Sequence, residues 1–133
     1  MEKNAATLAT AGVGTILYFL FGEFDIALQC LLVFIVLDYI SGIIKAYTNK
    51  ELSSKIGFRG ILKKVGILII VAVGVLVDRI TGDSGAVRSL VIYYFVANEG
   101  LSIVENLSQT GLPIPKSIKN ALKILKNQGD GKA

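Results

Sequence analysis

The residues of this chain best placed to do chemistry are acids and amides set inside apolar sequence. Ser89 to Leu107 is long enough to cross a bilayer, yet Asn98, Glu99, Glu105 and Asn106 all fall in its second half. An ionisable group in hydrocarbon costs at least about 2.5 kcal/mol on insertion scales, so each needs a partner or water. Asn98, Ser102 and Glu105 are spaced i, i+4, i+7 and share one helical face, which Gln109 extends. Glu99 shares a neighbouring face with Ser102, Ile103 and Asn106. A further acid, Asp38, is followed by Ser41, Gly42 and Lys45 on roughly one face, so it can pair with Lys45 two turns on or across helices. Asp38, Asn98, Glu99, Ser102, Glu105 and Asn106 are therefore the candidate oligomer or pore-face residues. Two uses fit them equally: glue within one subunit, at roughly 0.6 kcal/mol per intramembrane hydrogen bond, or a polar face hidden in small assemblies and wet in an open one.

The remaining composition excludes most other chemistry. Histidine is absent, which removes the commonest catalytic base and metal ligand. Cys30 is alone, so neither an internal disulfide nor a cysteine metal cluster exists. It lies in an apolar run, where a buried, inert thiol is expected. No dinucleotide-binding, P-loop or nucleophile-elbow pattern occurs. An enzyme is not expected, nor any cofactor or metal.

The elements that carry the polar residues are apolar helices. Of 133 residues 53% are hydrophobic and 18% charged, and the mean hydropathy is +0.63. A soluble chain this small has too much surface to leave so little charge for it. The expected fold is all-α: an integral membrane bundle of four transmembrane helices plus a C-terminal amphipathic helix. The transmembrane domain covers residues 1–112, with spans at about 5–22, 24–47, 61–80 and 86–108; residues 113–133 form a basic cytoplasmic tail. No segment has 18 uninterrupted apolar residues. The third core, Val65 to Val77, spans only about 20 Å as a helix, and Lys63, Lys64 and Arg79 extend its reach by snorkelling. A re-entrant hairpin for the first two segments is the alternative. The N-terminus lacks the basic region of a secretory signal, so the first apolar stretch is expected to be retained.

Charge sets the expected orientation. Lys45, Lys50, Lys55, Arg59, Lys63 and Lys64 face one acid, Glu51; after Pro115 come Lys116, Lys119, Lys123, Lys126 and Lys132 against Asp130. These are the candidate membrane-surface and topology residues, and the positive-inside rule places both regions in the cytoplasm. The connection after the first span carries Glu23 and Asp25, and that after the third is mixed: Asp78, Arg79, Asp83 and Arg88. Four spans put the N-terminus inside, three outside. The net charge of +4 is better assigned to topology and anionic headgroups than to nucleic acid. Gly66, Gly74 and Asp78 lie on one i+4 row with Ile70 between, and Ala5, Ala9 and Gly12 make another; such rows permit close helix approach in lipid. Ser53-Ser54 can cap a helix starting near Lys55. Gly111-Leu-Pro-Ile-Pro breaks the chain after the fourth span. Lys116 to Asn127 then reads as an amphipathic helix with Ile118, Ala121, Leu122 and Leu125 as its apolar stripe, lying on the inner leaflet, docking on a neighbouring subunit, or solvated.

Three motifs resemble the phage lysis and toxin-secretion holin family. They are Leu37-Asp38-Tyr39-Ile40-Ser41-Gly42-Ile43-Ile44-Lys45-Ala46, Leu52-Ser53-Ser54-Lys55-Ile56-Gly57-Phe58-Arg59-Gly60-Ile61-Leu62-Lys63-Lys64, and Ala97-Asn98-Glu99-Gly100-Leu101-Ser102-Ile103-Val104-Glu105-Asn106 with Leu112-Pro113-Ile114-Pro115-Lys116. Together they cover roughly residues 30–126. The resemblance implies a holin: a protein that homo-oligomerises in the bacterial cytoplasmic membrane and opens large lesions. An endolysin or toxin would escape through them without specific binding, lysing the host at a set time. Competing readings are an antiholin-like regulator and a small ion or drug transporter. The transporter normally needs one membrane-central carboxylate, whereas here the acids are several and off-centre.

Overall fold

The computed structural model describes residues 1–82 and 84–131, so Asp83 and Lys132 lie outside the described residues. Among the described residues there are five helices and no strand: α1 (Glu2–Phe21), α2 (Ile26–Thr48), α3 (Ser54–Thr81), α4 (Ala86–Ser108) and α5 (Lys116–Gly129). The first four are each long and apolar enough to cross a membrane. Their ends are set by local chemistry. Asp25 caps α2 by accepting from the Leu28 amide at 3.0 Å, and Ser53 caps α3 by accepting from the Ile56 amide at 3.2 Å, satisfying donors that a helix start leaves orphaned. Because of the Ser53 cap, α3 begins seven residues before the expected span at 61. The Gly82 C-cap takes a left-handed conformation at φ 69°, which a Cβ would strain.

α4 is the helix on which the others assemble: α2, α3 and α5 all pack on it, whereas the body of α1 packs on α3 and only its C-terminal end reaches Arg88 of α4. The apolar core is thin, formed by Leu28, Leu31 and Ile35 of α2, Ile67 and Val71 of α3, and Ile92 and Val96 of α4. Most large apolar side chains instead point outward, among them Val36 and Ile40 on α2 and Ile69 and Val73 on α3. An exposed apolar surface this continuous is a lipid-facing wall. Cys30 is on it: the thiol is exposed rather than buried, because the buried stripe of α2 passes through Leu28 and Leu31 and leaves position 30 on the other side.

Polar contacts lock the end opposite the Lys55–Arg59 segment. The N-cap of α4 is Gly85, which has no side chain to offer. Asp78 reaches across from α3 and accepts from the Val87 amide at 3.1 Å and the Arg88 amide at 2.8 Å. Arg88 in turn straps the α1–α2 corner, donating to the carbonyls of Phe21 at 2.7 Å and Glu23 at 2.8 Å, and to Asp25 at 2.8 Å. Gly22, at φ +76°, leaves room for it: a Cβ there would sit 2.9 Å from Arg88 Nε. Gly74 lets α3 and α4 close up, since its Cβ would meet Val91 at 3.3 Å and the Arg88 backbone at 3.5 Å. The expected Gly66–Gly74–Asp78 packing row is only partly realised. Gly66 has nothing within 4 Å and Ile70 is exposed, because an i+4 row drifts about 40° per step around a helix of 3.6 residues per turn.

The Arg88 hydrogen bond holds the Asp25 carboxyl below its ordinary value of 3.8, outweighing partial desolvation, which pushes the other way. A depressed folded value stabilises the fold above the unfolded value and is lost as pH falls through the folded one. Asp25→Asn keeps a capping side chain but loses the charge. It is expected to lower the melting temperature of the detergent-solubilised protein at neutral pH, with the gap to wild type closing as the solution is acidified below 3.8. A gap independent of pH would show that the ion pair contributes nothing.

Candidate functional site

The buried stripe of each central helix carries polar residues in the same register as its apolar ones. On α2 the stripe runs Leu28, Leu31, Ile35, Asp38, Ser41; on α3 it runs Lys64, Ile67, Val71, Gly74, Asp78; on α4 it includes Ile92, Val96, Glu99 and Val104. Packing the stripes together brings the polar positions to one level. There Lys64 Nζ donates to both Asp38 Oδ2 and Glu99 Oε2. Asn106 Nδ2 donates to Asp38 Oδ1 at 3.2 Å and to Ser41 Oγ at 3.1 Å, and the Ser41 hydroxyl donates to the Asp38 carbonyl at 3.0 Å. Glu99 is 0% exposed and Lys64 only 9%. One ammonium thus serves two carboxylates, and Glu99 Oε1 is a buried oxygen with no hydrogen-bond partner among the described residues.

A cleft of about 380 Å³ leads from this cluster toward the Lys55–Arg59 segment between α2 and α3, with Tyr39, Lys45, Glu51, Gly57 and Gly60 on its walls. Asp38, Lys45, Glu51, Lys64 and Asn106 place polar groups on a lining that is otherwise largely apolar, and its size admits several waters. Tyr39 packs on the α3 glycines: a Cβ at Gly57 would lie 3.3 Å from its hydroxyl and one at Gly60 3.4 Å from its ring. The arrangement fixes three helices in one register and gives water a route to the buried Asp38–Lys64–Glu99 cluster.

Asp38, Glu99 and Asn106 meet in the cluster, and Ser102 lines the cleft. Asn98 and Ser102 are half-buried and Glu105 is exposed, so the Asn98–Ser102–Glu105 row lies beside the packed face of the subunit rather than in it. The packed face of α4 follows Glu99 and Asn106 instead. Asp38 pairs with Lys64 across helices rather than with Lys45, which stands on the cleft wall. Lys64, grouped above with the surface and topology lysines, is in the core; its neighbour Lys63 and also Lys50, Lys55 and Arg59 are exposed. The signal that separates Lys64 was in the spacing: Ile67 and Val71 continue its face at i+3 and i+7. The Arg88 strap is a second feature that charge counting hides, since it pairs residues 63 positions apart.

α5 does not stand apart as a basic tail. It folds back along α4, with Leu122 set against Gly100, and Leu125 reaches the apolar core. Lys119 and Lys126 are half-buried at this contact, whereas Lys116 and Lys123 are exposed.

A family model described as the bacteriophage holin family matches residues 15–127. Among similar proteins, a probable holin of Bacillus phage phi105 is 37% identical, covering 86% of this chain and 84% of that protein. An uncharacterized 14.9 kDa protein from the nagH 3′ region of Clostridium perfringens is 48% identical, covering 87% of this chain and 89% of the relative. An uncharacterized Listeria monocytogenes protein is 45% identical, covering 85% and 81%. No solved structure matches the chain.

Removing one member of a buried charge cluster strands the others, at about 3–5 kcal/mol, whereas replacing all members with neutral groups of similar volume is far milder. Lys64→Met is therefore expected to destabilise the bundle strongly in denaturant titrations in detergent. The triple change Asp38→Asn, Lys64→Met, Glu99→Gln should recover most of the loss. Equal damage from the single and triple changes would mean that charge compensation is not what Lys64 supplies.

Proposed function

The chain belongs to the bacteriophage holin family, and on that footing we propose that it is a holin. In this reading it assembles with copies of itself in the cytoplasmic membrane of a bacterial host. The assemblies open into lesions wide enough for a folded endolysin, or a toxin, to leave the cytosol. The observation that carries the reading is likeness to a phage protein described as a probable holin over most of both chains. The outward apolar walls of α2 and α3 fit it, because a chain that lives in lipid has to bury little within itself. The positive-inside rule orients the chain: Lys55, Arg59 and the α4–α5 connection face the cytoplasm, and the Arg88 clamp faces outward. The passenger crosses without a dedicated binding site.

The buried cluster has a part in this reading. In a single subunit, Asp38, Lys64 and Glu99 neutralise one another well enough to sit at membrane depth. Subunits can then accumulate without opening a wet path. Coupling between such subunits, not the chemistry of any one, sets when lesions form.

The deciding experiment is expression in bacteria that also hold a cytosolic muralytic enzyme lacking a secretion signal, with turbidity followed over time. Abrupt lysis that requires both proteins is the expected outcome. Collapse of membrane potential without enzyme escape would replace the lesion by a small channel. No effect from protein confirmed in the membrane would shift the reading to a regulator of another holin or a transporter.

A further inference from the structure

α5 lies antiparallel along α4, and its depth is fixed by two contacts. Leu122 Cδ2 comes within 2.6 Å of where a Gly100 Cβ would be, and Gly129 abuts the backbone of Tyr94, where no side chain fits. Lys126 Nζ stands 6.0 Å from the centre of the Tyr94 ring. Tyr94 is the ninth residue of α4, about 12 Å from its start in a helix about 34 Å long at 1.5 Å per residue. α5 therefore enters from the C-terminal end of α4 and climbs past the level of Glu99.

Its outer face is polar over most of that climb, with Ile124 as an exposed apolar residue in its middle and Ile118 another at its edge. Lys116, Asn120, Lys123, Asn127, Gln128 and Asp130 are exposed. At the same depth α2 presents Val36 and Ile40, and α3 presents Ile69 and Val73. The two walls cannot share a solvent. Each lysine held against acyl chains costs at least about 2.5 kcal/mol. Snorkelling moves an ammonium by one side-chain length, whereas Lys123, next to Leu122 at the level of Gly100, lies about 12 Å from the C-terminal end of α4, and Asn127 and Gln128 lie deeper. A docked α5 is compatible with the membrane only if water stands against it.

We propose that α5 lines the water-filled passage of the assembled protein, turning its lysine and amide face to the lumen while α2 and α3 face lipid. The inference rests on the holin reading and names the surface that the passage is built from. It makes the lumen wall basic along the inner two-thirds of the bilayer. The alternative occupant of that face, the inner leaflet surface reached by α5 swinging free of α4, is the outcome the experiment has to separate.

In a Cys30→Ala background, Gly100→Cys and Leu122→Cys place thiols that can join α5 to α4. A reporter thiol is added by Asn127→Cys, or by Val36→Cys or Ile69→Cys as lipid-facing controls. The protein is reconstituted into phosphatidylethanolamine–phosphatidylglycerol vesicles and exposed on both sides to a permanently charged methanethiosulfonate reagent. The disulfide is expected to form, the thiol at 127 to react with α5 locked, and those at 36 and 69 not to react. Reaction at 127 only in the unlocked chain would make α5 a surface helix and overturn the proposal. So would protection at 127 in both forms, or failure of the disulfide to form in the membrane. Release of a folded fluorescent protein from the same vesicles reads the holin reading separately. Release with 127 protected retains the holin and removes the lumen wall; a wetted 127 without release overturns the lesion. Gly129→Ala is the second variant, since a methyl there runs into the Tyr94 backbone. It is expected to abolish release, and unchanged release would show that a docked α5 is not needed.

Discussion

Sharing of one ammonium between two carboxylates is the constraint around which this bundle is organised. Among the described residues Lys64 is the only ion-pair partner of both Asp38 and Glu99, and each acid sits on a different helix from the lysine and from the other. Lipid exerts no hydrophobic pressure for helices to associate, so directional polar contacts and close packing have to do it. A shift of one turn in any of the three helices would carry a charge about 5 Å from its partner. Such a shift would leave an uncompensated ion in a medium that cannot solvate it. The cluster therefore selects one register of α2, α3 and α4, whatever its net contribution to stability.

The second clamp, at the far end, divides the work differently. Asp78 acts as a helix cap from outside the helix it caps, and Arg88 ties the α1–α2 corner by three groups at once. Between the two clamps lies a core of seven buried apolar side chains. That is little for a chain of 133 residues, and it suffices because the unburied apolar surface has lipid to face. α1, held by α3 and by Arg79 donating to the Tyr18 carbonyl at 3.2 Å, is the least integrated helix and keeps most of its surface open.

Much of this was legible in the sequence, and the failures have physical causes. The four apolar helices and the Ser53 cap followed from hydropathy and capping chemistry. Asp38, Glu99 and Asn106 stood out because acids and amides in apolar sequence have to be accounted for. Lys64 did not, because a lysine at the edge of an apolar run looks the same whether it snorkels or turns inward; only its phase relative to Ile67 and Val71 distinguishes the two. Asn98 and Glu105 lie on an i, i+4, i+7 row that runs beside the packed face of the subunit, about 100° from Glu99. α5 was legible as an amphipathic helix but not as a docked one. Amphipathicity records that a helix has an apolar side, and says nothing about whether lipid or α4 covers it. The deciding features are small: Gly100, which admits Leu122, and Gly129, which admits the Tyr94 backbone.

Those glycines bear on how one chain can serve two environments. An isolated subunit with α5 docked exposes Lys123 at membrane depth; one with α5 released uncovers the α4 surface around Tyr94 and Gly100, which acyl chains accept. An assembly that encloses water reverses the preference, because the basic face is then solvated and the apolar side of α5 gains a protein partner. Docking of α5 and enclosure of water are thus thermodynamically linked, each favouring the other by the same free energy. With several subunits around one passage, that linkage is shared by all of them. A collection of subunits that tolerates the membrane singly can then pass to a wetted state together, with no subunit needing more than a fold that holds its own charges in register.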